Sequence, residues 1–138
     1  MNLKQSFVKS AKSLWIMLPI ILGTVLLVSL ITTLIPNSFY TYIFSKSKIL
    51  DSIVGALAGS ISAGNPVISY ILGGELLKEG IGLIAVTAFL VSWVTVGIIQ
   101  LPAESILLGK KFAIIRNVTA FILAIVVAIM TVVIVGVI

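Results

Sequence analysis

The sequence GSISAGNP at residues 59–66 interrupts an apolar run that extends from Ile49 to Lys78. As one helix, this run of 30 residues would measure about 45 Å and exceed the roughly 30 Å hydrocarbon core of a bilayer. Pro66 lacks a backbone N–H and disfavours the helical conformation at Asn65, so carbonyls near residues 62–64 lose their helical partners. The sequence therefore predicts two short helical arms around an unwound centre.

Two arrangements of residues 49–78 fit this pattern: a broken helix that spans the membrane, or a re-entrant helical hairpin. The spanning helix divides the nine cations four to five between the two sides. The hairpin divides them six to three, with Lys46, Lys48 and Lys78 opposite Lys4, Lys9, Lys12, Lys110, Lys111 and Arg116. Because cations collect on the cytoplasmic side, the hairpin is favoured, with the amino terminus inside and the carboxyl terminus outside.

The composition is that of an integral membrane protein. The chain has 138 residues, of which 60% are hydrophobic and 9% charged, whereas a soluble domain needs roughly a quarter charged. The net charge of +5 is interpreted as a topology signal, not as a nucleic-acid surface. Without cysteine or histidine, disulfides, zinc sites and imidazole bases are excluded, and no metal or cofactor is expected.

Three further segments are long enough to cross a bilayer, at 14–35, 81–101 and 117–138. Residues 1–13 are predicted to form a basic amphipathic interfacial segment, with a frayed tail as the alternative. The expected fold is an all-α, multi-pass plasma-membrane protein with three transmembrane helices and a broken helix or re-entrant hairpin. In the last span Ala120, Ala124 and Ala128 form a small-residue stripe that allows close helix packing.

Unwound backbone near the bilayer centre is how many transporters bind an ion or solute. The residues predicted to bind substrate at the first break are Ser60, Ser62, Asn65, Pro66 and Ser69.

A second polar cluster follows, with Trp93, Thr95 and Gln100 as further predicted binding residues. Trp93 lies in mid-span, where its N–H needs a partner, although it could simply fill a groove between helices. Thr95 could bond to its own helix, whereas Gln100 in an apolar run is expected to face the bundle interior.

Two acids are candidates for proton or cation coupling. Glu75 could point into the bundle, or it could pair with Lys78 on one helix face. Glu104 follows Pro102 and could instead complement the dipole of a short helix.

Taken in order, several motifs resemble the permease family of the YraQ and ArsP type, and in particular its half-length members. The motifs are GSISAGNP (59–66), GGELL (73–77), AFLV (88–91), WVTVG (93–97), QLPAE (100–104) and LGKKFAIIRN (108–117). The resemblance covers roughly residues 50–120 and implies a permease whose site lies at the two motif loops. The organoarsenical-exporting branch carries a Cys-Ser-Cys-type motif just after the proline. Here Val67, Ile68 and Ser69 follow Pro66, which argues against arsenic as the substrate.

The chain is expected to cross the membrane an odd number of times, and it has too few helices to shield unwound backbone from lipid. Both features predict a partner. That partner is a second copy, such as an antiparallel dimer forming an inverted repeat, or a homologous half-permease. The predicted function is transport of a small polar or ionic solute between the paired halves. The alternatives are an oligomeric pore and a non-transporting helper subunit. No enzyme is expected, because no paired carboxylates, histidine or cysteine are present.

Overall fold

The computed structural model describes residues 3–34, 36–44, 47–62 and 64–137. Over these residues the protein contains helices and no strands, which confirms the all-α prediction. The helices are α1 (Leu3–Leu34), α2 (Asn37–Ile43), α3 (Lys48–Ile61), α4 (Pro66–Lys78), α5 (Leu83–Thr95), α6 (Leu101–Leu107) and α7 (Lys110–Val137). Ile35 and Ile138 at predicted span ends, Lys46 of the charge count and Ala63 of the break lie outside the described residues.

The chain divides into two compact units, one formed by α1 and the other by α2–α7. Each unit contains a helix long and apolar enough to cross a membrane, Leu3–Leu27 in the first and Lys110–Gly136 in the second, with mean hydropathies of 1.7 and 3.1. Most large apolar side chains on both helices are exposed.

Two helices extend beyond the bounds predicted for the membrane spans. The helix α1 runs without interruption from Leu3 to Leu34, so the described part of the predicted interfacial segment and the first apolar stretch belong to one helix. The last helix begins at Lys110 instead of Asn117, directly after Gly109, whose φ of +93° suits a reversal that other residues disfavour.

The predicted span at 81–101 is not one continuous helix in the structure. The helix α5 has 13 residues, a length of about 20 Å that falls short of a bilayer core. The physical reason lies partly in Pro102, whose ring would clash with a helical carbonyl at Ile98. The interruption therefore precedes the proline, at residues 96–100, and α6 begins at Leu101.

The two arms of the predicted hairpin run in opposite directions along α5. In α3, Gly55 lies against the backbone of Ala85 and Gly59 against that of Phe89, so α3 is parallel to α5. In α4, Gly73 contacts the side chains of Val86 and Leu90, and the chain enters α5 through a tight turn at 79–82. The chain thus reverses its direction between Ile61 and Pro66, and the opposite ends of both arms lie near the start of α5.

The glycine and alanine positions bring the helices close together. A Cβ on Gly55 would meet the Ala85 carbonyl group and lie 2.9 Å from its carbon. In α7, Ala124 and Ala128 of the predicted small-residue stripe are fully buried. Ala128 joins a core cluster with Ala56, Ile84 and Ala88.

We predict that Gly55→Ala lowers the free energy of unfolding by about 1–3 kcal/mol, because the added methyl must separate α3 from α5. Thermal unfolding of the purified protein in detergent measures the change. Gly74→Ala is the matched control: it lies in a helix, has open space around its Cβ position, and should be neutral or stabilising by up to about 1 kcal/mol. Equal effects of the two variants would contradict the packing role of Gly55.

Candidate functional site

At the first break, the backbone is fixed by the residues that cap and begin α4. The Asn65 side-chain Oδ1 accepts a hydrogen bond of 3.0 Å from the Val67 N–H, and Pro66 occupies the first turn, where its missing N–H costs nothing. Asn65 is therefore the N-cap of α4. The α3 arm ends at Ile61, and the Ser62 N–H turns back to the Gly59 carbonyl at 3.1 Å.

The second break lies directly opposite the first. The Trp93 indole Nε1 donates to the Gly64 carbonyl across a long distance of 3.5 Å. The Trp93 ring is held edge-on against Phe89, with centroids 5.3 Å apart and planes at 74°. A Cβ on Gly64 would lie 3.3 Å from the Trp93 ring, so a glycine suits this approach.

A polar cavity of about 60 Å³ lies where the two breaks meet. A water needs about 10–15 Å³ by this measure, so the cavity has room for several waters or one small solute. Its lining includes Ser62, Gly64, Trp93, Val96, Gly97 and Gln100. A larger apolar cavity of about 340 Å³ lies between the α3 and α4 arms and shares Ser62 and Trp93 with it.

The side chains of Asn117, Arg116 and Glu104 hold the second break in place. The sequence predicted ion coupling for Glu104 and no binding role for the other two. Asn117 in α7 accepts from the Gly97 N–H at 2.8 Å and donates to Glu104 at 3.2 Å. Arg116 forms an ion pair with Glu104 and donates to the Thr95 carbonyl at 3.1 Å. In the sequence, Arg116 counts as a topology cation, Asn117 begins a predicted span, and both belong to the LGKKFAIIRN motif, but none of these signals indicates a bond to the second break.

The structure brings some predicted site residues to the cavity and leaves others away from it. Ser62, Trp93 and Gln100 line the cavity, whereas Asn65 and Pro66, which follow the lining residue Gly64 in the chain, do not. The remaining predicted residues, Ser60, Ser69 and Thr95, are outside the lining. Their hydroxyls, like that of Ser62, donate to carbonyls of the same chain three or four residues earlier, at 2.7–2.9 Å. The alternative interpretation of Thr95 as bonding to its own helix is thus confirmed.

The two candidate coupling acids are both paired. Glu75 bonds to Lys78 at 2.8 Å on the surface of α4, as the alternative for that residue predicted. Glu104 lies in the first turn of α6 and pairs with Arg116. Within the described ranges, no three acid, His or Cys side chains form a group that could hold a metal ion.

Comparisons of the chain with models of protein families, with curated proteins and with solved structures found no match.

We predict that Asn65→Ala lowers the free energy of unfolding by about 1 kcal/mol, because α4 loses the acceptor for the Val67 N–H. Asn65→Asp keeps that acceptor and should retain most of the stability. Thermal unfolding without added solute makes the comparison. If the alanine variant matched the original protein while the aspartate variant did not, Asn65 would not be acting as a cap.

Proposed function

We propose that the protein is a half-length membrane permease that binds a small polar or ionic solute where its two helix breaks meet. The observation that carries this proposal is the polar cavity lined by Gly64 of the first break and residues 96–100 of the second, in a chain that is 60% hydrophobic. In hydrocarbon, backbone polar groups without helical partners are tolerated only where protein or water covers them.

In this proposal α1 and α7 are spans, and α3 and α4 form a re-entrant hairpin whose tip is Ser62–Asn65. The helices α5 and α6 are the two parts of a discontinuous span, since α5 alone is too short to cross. The antiparallel directions of α3 and α4 along α5 support the hairpin, as does the charge distribution of the sequence.

A second half is required in this proposal. In the single chain, Gly64, Asn65, Ile98, Ile99 and Gln100 are all exposed. Lipid cannot form hydrogen bonds with the polar groups of these residues, so a partner must cover them. The partner is a second copy in an antiparallel inverted-repeat arrangement, or a homologous half-permease. The resemblance to half-length permeases of the YraQ and ArsP type supports the same class. The absence of cysteine argues against a soft thiophilic solute.

We predict that Gln100→Ala lowers saturable solute flux about tenfold, because it removes an uncharged side chain that lines the cavity and could bond to the solute. Uptake of radiolabelled small ions and polar solutes into proteoliposomes would be measured, first in a panel and then for the transported compound. Gln5→Ala in α1 is the matched control and should leave flux unchanged. Flux that does not saturate would indicate a pore, and no flux for any compound would favour a helper subunit.

The cysteine-free chain allows a direct test of the partner. We predict that Val67→Cys, placed on an exposed residue beside the tip, forms a disulfide between two copies in native membranes treated with a mild oxidant. Ile106→Cys on the exposed surface of α6 is the control and should remain monomeric on non-reducing gels. Cross-linking at 106 but not at 67 would contradict pairing through the tip.

A further inference from the structure

The second break lacks the three hydrogen bonds that the N–H groups of Gly97, Ile98 and Ile99 would donate in a continuous helix, and groups from two of them are bonded elsewhere. If α5 continued through residue 99, the Gly97 N–H would bond to the Trp93 carbonyl and the Ile99 N–H to the Thr95 carbonyl. In the structure, the Gly97 N–H and the Thr95 carbonyl are bonded to side chains of α7 instead. No hydrogen bond to the Trp93 carbonyl or from the Ile99 N–H is found within the described part of the chain.

Asn117 and Arg116 thus replace one backbone partner each. The Asn117 Oδ1 takes the place of the Trp93 carbonyl as acceptor for Gly97, at 2.8 Å. The Arg116 Nη2 takes the place of the Ile99 N–H as donor to Thr95, at 3.1 Å. Both replacements come from adjacent residues at the same level of α7.

The replacing side chains are fixed in their orientation. Asn117 is only 5% exposed, and its Nδ2 donates both to Glu104 at 3.2 Å and to the Ala113 carbonyl at 2.9 Å. A rotated amide would direct its N–H₂ group at the Gly97 N–H, so only this orientation fits the partners. Glu104 binds Arg116 with its other oxygen and so ties α6 to both residues.

We propose that Asn117 and Arg116, held by Glu104, form a latch that keeps α5 from rewinding through Gly97 and Ile99. The latch leaves the Trp93 carbonyl and the Ile99 N–H available at the cavity that both residues line. Asn117 and Arg116 are positioning residues in this proposal, because they act through the backbone of the break and do not line the cavity themselves. The role of the freed groups in solute binding rests on the proposed function; the latch itself does not.

Amide hydrogen exchange of residues 96–100, followed by NMR or mass spectrometry in solute-free nanodiscs, tests the latch. In the original protein the Gly97 amide should exchange slowly, and the Ile98 and Ile99 amides quickly. In Asn117→Leu the segment should rewind: Ile99 exchange should slow by about tenfold or more, as expected for one gained hydrogen bond, while Gly97 stays slow. Faster exchange at Gly97 with Ile99 unchanged would overturn the proposal, because it would show a frayed segment that Asn117 merely anchors.

Two further variants keep the test decisive. Thr131→Val also removes a polar group from α7, but one that bonds only within its own helix, so exchange at residues 96–100 should not change.

If Asn117→Leu does not fold, Arg116→Lys replaces it as the test variant. Lysine keeps the charge near Glu104 but lacks the planar guanidinium that bonds to Glu104 and the Thr95 carbonyl at the same time. Slower exchange at Ile99 in this variant would support the latch, and unchanged exchange would overturn it. Because exchange is read without transport, failure of the latch and failure of the permease proposal are separate results.

Discussion

The hydrogen bond from the Gly97 N–H to Asn117 is the contact on which the rest of the candidate site depends. Where a helix stops in an apolar environment, each freed amide and carbonyl needs another partner or a large free-energy cost results. Asn65 meets this need for α4 with its own side chain, since the capped N–H is two residues away. The end of α5 depends instead on residues some 20 positions further along the chain. One break is thus locally determined, and the other depends on packing of α7.

Packing of the helices explains how that contact comes to lie beside the hairpin tip. Gly55 and Gly59 let α3 approach the backbone of α5 so closely that no Cβ fits between them. Ala128 of α7 is buried in one cluster with Ala56 of α3 and Ala88 of α5, so α7 packs against both helices. With α5 packed against both α3 and α7, its end is fixed both to the tip through Trp93 and to α7 through Asn117. The small residues therefore position the polar ones, because they allow the helices to approach closely.

These dependencies decide which features were predictable from sequence. The break at residues 64–66 was predictable because the causes, a proline and the residue before it, act on their immediate neighbours. The break at 96–100 was placed too late, since Pro102 marks only its downstream limit and Asn117 acts through tertiary structure. The hydroxyls of Ser60 and Ser69 were grouped with the site by sequence proximity, yet a serine in a helix can bond to its own backbone and face away. Trp93 and Gln100, which the sequence groups because both lie within one turn of the second break, line the same cavity as Gly64, and their role in binding stays a prediction.

The ion pair between Glu104 and Arg116 bears on how such a site could exist in a bilayer. An isolated carboxylate or guanidinium would be costly to bury, whereas a paired one that also bonds to neighbours costs much less. Glu104 is bonded to both Arg116 and Asn117, so its charge is compensated where the break needs support. The same bonds restrict what the carboxylate can do, because it cannot accept a proton or a cation without weakening its contacts with both latch residues. In the proposed permease, any coupling of ions at Glu104 would therefore also be a change in the conformation of the second break.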